Sequence, residues 1–170
     1  MAAQLNYNYG TPKGVPGGKF DIAFDEVVTR KNENEDGVMK YGLAVAVGTD
    51  AGNGIKVPVT GTTAAQIEGI TIALPNTEQD MAGKVVVKKN ASLSVMKKGN
   101  IWGRLATGAT PTYGAKAYVI PDGDEAGTFT HAADNGKSDS GKSDSGKVEY
   151  LDISATFGNA SDDGIAVIVL

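Results

Sequence analysis

A glycine-, lysine- and serine-rich string gives the chain its strongest candidate for chemistry. Residues 136–143 read GKSDSGKS and fit G-x-x-x-x-G-K-[ST], the loop that cradles nucleotide phosphates. Such a loop follows a buried strand and opens a helix, whose N-terminal amides complete the phosphate site. Here the polar segment THAADN precedes the string, and Gly146 ends any helix that follows it. Because the tandem repeat GKSDSGKSDSGK generates the match by itself, we predict no nucleotide site.

The acidic residues are better explained by turns than by metal binding. Asp122 and Asp124 lie in PDGDEAG, and Asp50 and Asn53 lie in the turn DAGNG. Neither stretch has the ligand spacing, the glycine and the distal glutamate of an EF-hand calcium loop. Asp, Asn and Gly are the residues that ordinary β-turns use. We therefore predict no metal site and no cofactor.

The other reactive residue types give no support for an enzyme. The chain has no cysteine and one histidine, His131, with no nucleophile near it in sequence. Asp162 and Asp163 are adjacent, and neighbouring side chains on a strand point in opposite directions, so they do not form an opposed glycosidase pair. The prediction is a non-enzymatic protein.

The composition favours a turn-rich globular protein. The 170 residues include 23 glycines, 41% hydrophobic and only 6% aromatic residues, with a net charge of −4. The sequence has no basic patch of the kind that indicates a nucleic-acid partner. It also has no apolar run that approaches the roughly 18 residues of a membrane span. The N-terminal residues do not resemble a secretory signal. We expect a soluble protein that is made in a cytoplasm and has no nucleic-acid or membrane partner.

Residues 1–41 are predicted to form an extended N-terminal arm. Prolines and glycine pairs in NYNYGTPKGVPGG prevent a helix there. Phe20, Ile22 and Phe24 alternate, which favours an extended segment or a short strand, and a short helix over 23–30 is the alternative. A polar arm with scattered aromatic residues has little to pack on alone, so we expect it to gain order on a neighbour.

Residues 42–170 are predicted to form one β-barrel or β-sandwich domain. Nine or ten short apolar segments, KVVVKK among them, alternate with turns at hairpin spacing. No segment keeps a 3.6-residue period, and residues 62–68 allow one helical turn at most. The Ser/Asp/Gly/Lys loop at 135–147 can bury nothing, so we expect it to be flexible and exposed.

Two features suggest packing surfaces within this domain. The last segment, GIAVIVL, is apolar on both faces, which indicates either a central strand or a strand at a subunit interface. Trp102 and Arg104 share one face of the segment NIWGR. They are either an interface pair, since both types are enriched in binding hot spots, or a tryptophan at the core edge with the arginine stacked on it.

The order of the segments resembles a known family. GVPGGKFD leads to KYGLAVAVGTDAGNGIKVP, IEGITIALPN, KKGNIWGRL, TYGAKAYVIPDGDEAGTFT and finally LDISATFGNASDDGIAVIVL. This series is similar to the structural cement, or head-decoration, proteins of tailed-phage capsids. The resemblance covers most of the chain except the Ser/Asp/Gly/Lys loop.

The resemblance implies a virion protein on the outer surface of the assembled capsid, made in the host bacterium. It implies the major capsid protein of an HK97-like shell as a partner, self-association as a homotrimer, and stabilisation of the shell by bridging its subunits. Another virion part, such as a head fibre base, a tail or an adhesin domain, is the alternative.

Two sets of residues are the candidate contacts. For capsid binding we select the arm aromatics and one arginine: Tyr7, Tyr9, Phe20, Phe24 and Arg30. For self-association we select the NIWGR pair and one face of the last strand: Trp102, Arg104, Ile165, Val167 and Val169.

Overall fold

The computed structural model describes residues 14–74, 79, 81, 83, 85–134, 149–161 and 163–170. These residues form ten strands and one 3-10 turn, Ala64–Gln66, which confirms the prediction of an all-β fold. The strands are β1 (Glu26–Asn32), β2 (Ala44–Val47), β3 (Gly54–Lys56), β4 (Ile67–Thr71), β5 (Ser92–Lys98), β6 (Asn100–Arg104), β7 (Lys116–Val119), β8 (Phe129–Thr130), β9 (Leu151–Phe157) and β10 (Ile165–Val169).

The ten strands divide into a closed barrel and a second sheet. The barrel has the order β1-β3-β2-β4-β5 and closes where β1 pairs with β5. The second sheet has the order β6-β10-β9-β7-β8, and a bridge between Leu105 and Phe129 brings its outer strands together at one end. We predicted a β-barrel or a β-sandwich, and the structure is a closed barrel with a second sheet packed on it.

Two apolar clusters hold these layers together. One fills the barrel with side chains from β1, β2, β3 and β5 and includes Leu43, Val45, Ile55 and Leu93. The other joins the outer face of the barrel, through Ile70 and Met96, to the second sheet. Burial of each such side chain stabilises the fold by about 1.5–3 kcal/mol, so the two sheets form a single packed unit.

The first strand starts earlier than the sequence suggested. We placed the end of the arm at residue 41, but Glu26–Asn32 is a barrel strand, and the alternative helix over 23–30 is wrong. Val28 lies opposite Val95 and packs into the barrel cluster, and the buried Asn32 side chain donates to the Lys88 carbonyl at 2.9 Å. These contacts are distant in sequence, so local alternation did not reveal them.

Two other predicted segments have different outcomes. KVVVKK does not form a strand in the described residues, where Val85 makes only an isolated bridge to Gln79. The last segment forms β10, which lies between β6 and β9 with Ile165–Ile168 buried. The central-strand alternative is therefore the one observed.

The arm, the barrel and the second sheet meet at two glycines. Gly17 donates to the Trp102 carbonyl of β6 at 2.7 Å, and its own carbonyl accepts from Ala73 at 2.8 Å. Arg104 of β6 donates its backbone N–H to the carbonyl of Gly42, also at 2.8 Å. Both glycines have positive φ, +81° and +76°, and a Cβ on Gly17 would lie 2.7 Å from the Ala73 nitrogen. Only glycine fits here without strain.

Glu33 ties down the connection between β2 and β3. Its carboxylate accepts from the backbone N–H groups of Thr49 at 2.6 Å and Asp50 at 2.9 Å. A Cβ on Gly54 would lie 1.9 Å from Glu33 Oε1, so the absent side chain leaves room for the carboxylate. Hydrogen bonds from Asp50 and then Thr49 hold the pKa of Glu33 below its ordinary value of 4.5.

We expect Gly17→Ala to destabilise the fold more than Gly61→Ala. Gly61 is a matched control because its φ is +88° and a Cβ there meets no atom within 4 Å. Both variants incur the strain of positive φ, about 1 kcal/mol, whereas Gly17→Ala adds a clash worth about 1–3 kcal/mol. Urea unfolding of both variants measures the difference, and equal losses would contradict the packing described.

Stability should depend on pH through Glu33. A carboxyl whose folded pKa is lowered contributes stability above its unfolded pKa and loses it as pH falls through the folded value. The destabilisation caused by Glu33→Gln is therefore expected to be largest near neutral pH and to shrink below the ordinary pKa of 4.5. Urea unfolding at a series of pH values tests this, and a difference that stays constant down to strongly acidic pH would refute it.

Candidate functional site

Exposed apolar side chains concentrate in the segment that precedes β1. Ile22 is fully exposed, Phe24 is 85% exposed, and Phe20 is 37% exposed. The segment FDIAF, predicted from the sequence to be extended or a short strand, forms no strand: it bends at Ile22 and Ala23 and lies outside both sheets. We call residues 19–25 the arm loop. Isolated exposed apolar residues are ordinary, whereas several together on one loop are a candidate interaction surface.

Polar contacts brace the arm loop at its base. The ammonium of Lys19 pairs with the carboxylate of Asp25, which joins the two ends of the loop. Asp21 accepts from the Ala23 N–H at 3.1 Å and from the Asn100 side-chain amide on β6 at 2.7 Å. Such bracing lowers the entropy lost when the exposed side chains bind a partner.

Trp102 is the platform on which the arm lies. The Phe20 ring contacts the indole edge-on, with ring centroids 5.7 Å apart and an interplanar angle of 67°. A Cβ on Gly14 would lie within 2.3 Å of indole atoms, so the arm backbone passes directly over the ring. Hydrogen bonds from Trp102 to Gly18 and from Phe20 to Asn100 extend this contact along β6. Trp102 is only 6% exposed as a result.

The residues selected for self-association are mostly enclosed within the chain. Ile165 and Val167 form a small buried cluster with Trp102, beneath the arm. Val169 is 37% exposed and lies opposite Asn100, beside the arm. Among the apolar members of this set, only Val169 therefore presents surface in the single chain.

Arg104 is half-buried and hydrogen-bonded to the barrel side of the junction. Its Nε donates to the Tyr41 carbonyl at 2.8 Å. Burial lowers the pKa of Arg104, and burial likewise raises the pKa of the Tyr41 phenol. Arg104 is on the same face of β6 as Trp102, as the sequence predicted, but its side chain turns toward Tyr41.

The residues selected for capsid binding have three different placements. Phe20 and Phe24 belong to the arm loop, whereas Tyr7 and Tyr9 lie outside the described residues. Arg30 has a partner within the chain: its Nε donates to Glu68 Oε1 at 2.8 Å, and the two side chains are 17% and 8% exposed. A buried ion pair of this kind is fixed in place, because separating it leaves an uncompensated charge.

The sequence reasoning missed the residues that complete and brace the arm loop. Ile22 is the most exposed apolar side chain of the loop, and it belonged to the alternating pattern without being selected. The partners Lys19 and Asp25 are six positions apart, a separation that no regular pattern predicts to be a contact. Asp21 before a turn is a common local signal, since Asp accepts from the backbone two residues on.

Two further features are absent from the described part of the chain. No group of three or more His, Cys, Asp or Glu there is placed to hold a metal ion. No helix in this part is long and apolar enough to cross a membrane. The Ser/Asp/Gly/Lys loop at 135–147, with its phosphate-loop string, lies outside the described residues.

Comparisons with known proteins agree with the fold. The family model described as "Structural cement protein (E217 gp24/Pam3 gp6)" matches residues 3–170. A chain from a solved structure entitled "The capsid of Myoviridae Phage XM1" shares the fold, with a TM-score of 0.69 and 18% identity. That alignment covers 99% of this chain and 97% of the other. No curated protein matches the sequence. Because the family model spans nearly its whole length, the chain belongs to the phage structural cement proteins.

Proposed function

We propose that the protein binds the outer surface of the assembled phage head and stabilises it by bridging neighbouring major capsid protein subunits. Membership of the cement family supports a structural role in the virion. The observation that carries the finer proposal is the arm loop, which holds Ile22 and Phe24 almost fully exposed on a braced base. The apolar side chains of the loop are the proposed contact with the shell.

The energetics fit a protein that acts on the assembled shell. Burial of Ile22 and Phe24 would contribute about 1.5–3 kcal/mol each, which is modest for one contact. A bridging protein makes contacts with more than one subunit at once, and linked contacts raise the overall affinity without new chemistry. Anything that binds the assembled state better than free subunits stabilises that state by mass action.

The arm has suitable geometry for a clamp. Its base is fixed to β6 through Trp102 and to the barrel through Gly17, so force on the loop passes to both sheets. Phe20 links the exposed part of the loop to this buried platform. Tyr7 and Tyr9 precede the anchored part and remain proposed contacts.

Self-association as a homotrimer is part of the proposal. Val169 is the exposed member of the selected set, and it lies opposite Asn100, which also holds Asp21 of the arm loop. A neighbouring copy that packed there would cover Val169 and the side of the arm. The loop at 135–147, with no apolar residue, suits the face that points away from the shell.

Replacing both exposed residues of the arm loop should weaken shell binding. We expect Ile22→Ser/Phe24→Ser to reduce affinity for capsids at least about tenfold, from the lost apolar burial, while unfolding is unchanged because both side chains are exposed. Tyr113→Ser is the matched control, since Tyr113 is 82% exposed on a different turn. Titration of labelled protein onto capsids that lack it measures the affinities.

Three results of this titration would count against the proposal. The wild-type protein must bind capsids saturably, so an absence of saturation would contradict cement activity itself. Equal binding to free capsid protein would contradict recognition of the assembled state. A double variant that binds as tightly as Tyr113→Ser would show that the arm loop is not the contact.

A further inference from the structure

An apolar cleft lies on the barrel side of the arm, away from the exposed tip of the arm loop. Its volume is about 480 Å³. Val15 and Pro16 of the arm form one wall, and Met39, Leu74 and Val87 form much of the other. Met39 and Val87 are almost wholly buried, so this second wall belongs to the packed cluster of the barrel. A cleft of this size and lining suits a side chain or a short peptide segment.

Three side chains with hydrogen-bond donors also line this cleft, namely Lys40, Tyr41 and Arg104. Arg104 uses its Nε on the Tyr41 carbonyl, which leaves its terminal nitrogens available. Neither Arg104 nor Lys40 forms an ion pair with a carboxylate among the described residues, and the Tyr41 hydroxyl has no hydrogen-bond partner there. All three residues line the cleft.

The burial of the Arg104 guanidinium favours a carboxylate as its ligand. A half-buried guanidinium loses hydration, and burial is the sole cause by which the pKa of Arg104 is lowered. In folded proteins such a cation normally has an acidic partner, and arginine in particular forms paired hydrogen bonds with a carboxylate. Arg30 of the same chain has such an acidic partner in Glu68.

We infer that the cleft binds a protein segment in which an Asp or Glu carboxylate stands beside a large apolar side chain. The carboxylate would take the terminal nitrogens of Arg104, with Lys40 adding charge, while the apolar neighbour lies against Met39, Leu74 and Val87. The apolar walls favour such a peptide over a phosphate ion, which would keep its hydration shell. This inference rests on the proposed function in taking the partner segment from the capsid surface.

The free protein provides a test that does not require capsids. A blocked peptide, Ala-Leu-Glu-Leu-Ala, is titrated against the full-length protein while the Arg104 Nε–Hε signal is followed by NMR. We expect this signal to shift saturably with the Glu peptide and to move little with the Gln analogue or with inorganic phosphate. An equal response to the Glu and Gln peptides, a stronger response to phosphate, or no response at all would overturn the inference.

A second arm of this experiment asks whether the chain fills its own cleft. In the sequence, Glu78 and Asp80 come between two cleft residues, Leu74 and Val85, and they are outside the described residues. The variant Glu78→Gln/Asp80→Asn should leave the Arg104 Nε–Hε signal unchanged in the absence of peptide. A shift of that signal would assign the cleft to the chain's own carboxylates and overturn a partner site.

Capsid titration then separates this inference from the proposed function. We expect two single variants, Lys40→Gln and Arg104→Lys, each to weaken capsid binding about tenfold, because the charged hydrogen bonds to the carboxylate are lost or distorted. Lys31→Gln, which removes an exposed barrel lysine, should change the affinity less than about twofold.

If the wild type binds capsids and both cleft variants bind as tightly as the wild type, the cleft inference fails while the cement proposal stands. If the wild type does not bind, the cement proposal fails, and the peptide titration still decides the chemistry of the cleft.

Discussion

The close contact between Gly17 and Gly42 is the constraint on which the arrangement of the molecule depends. A Cβ on Gly42 would lie 2.8 Å from the Gly17 nitrogen and 3.0 Å from the Trp102 carbonyl oxygen. Because neither residue has a side chain, the arm, the barrel and β6 approach closely enough for direct backbone hydrogen bonds. Thr71 completes the junction, since its buried hydroxyl donates to the Lys40 carbonyl at 2.9 Å.

Both proposed contact surfaces derive from that junction. On one side, the arm leaves Gly17, crosses Trp102 and presents the braced arm loop. On the other side, Val15 and Pro16 of the same arm close the cleft above Arg104. The arm therefore contributes to both surfaces: it forms the arm loop on one side and one wall of the cleft on the other. A partner that engages both would contact the protein on either side of the Gly17–Gly42 junction, which suits a clamp.

Local patterns in the sequence predicted the strands, and long-range contacts decided the rest. Alternation and turn spacing are properties of neighbouring residues, so the all-β class, nine of the ten strands and the doubly buried β10 were accessible. The early start of β1 depends on Val28 facing Val95, the pairing of Arg30 depends on Glu68, and the burial of Trp102 depends on the arm. Such contacts join residues far apart in the chain, which single-sequence patterns do not report. The aromatic residues of the arm were proposed as contacts from the sequence, but the bracing of the arm loop and its most exposed residue, Ile22, were not predicted.

Cryo-electron microscopy of capsids saturated with the protein tests the central claim most directly. The account predicts density for Ile22 and Phe24 buried against the shell across a subunit boundary, with the loop at 135–147 on the side facing away. A map in which the arm loop points into solvent, or in which the protein contacts one capsid subunit alone, would contradict it.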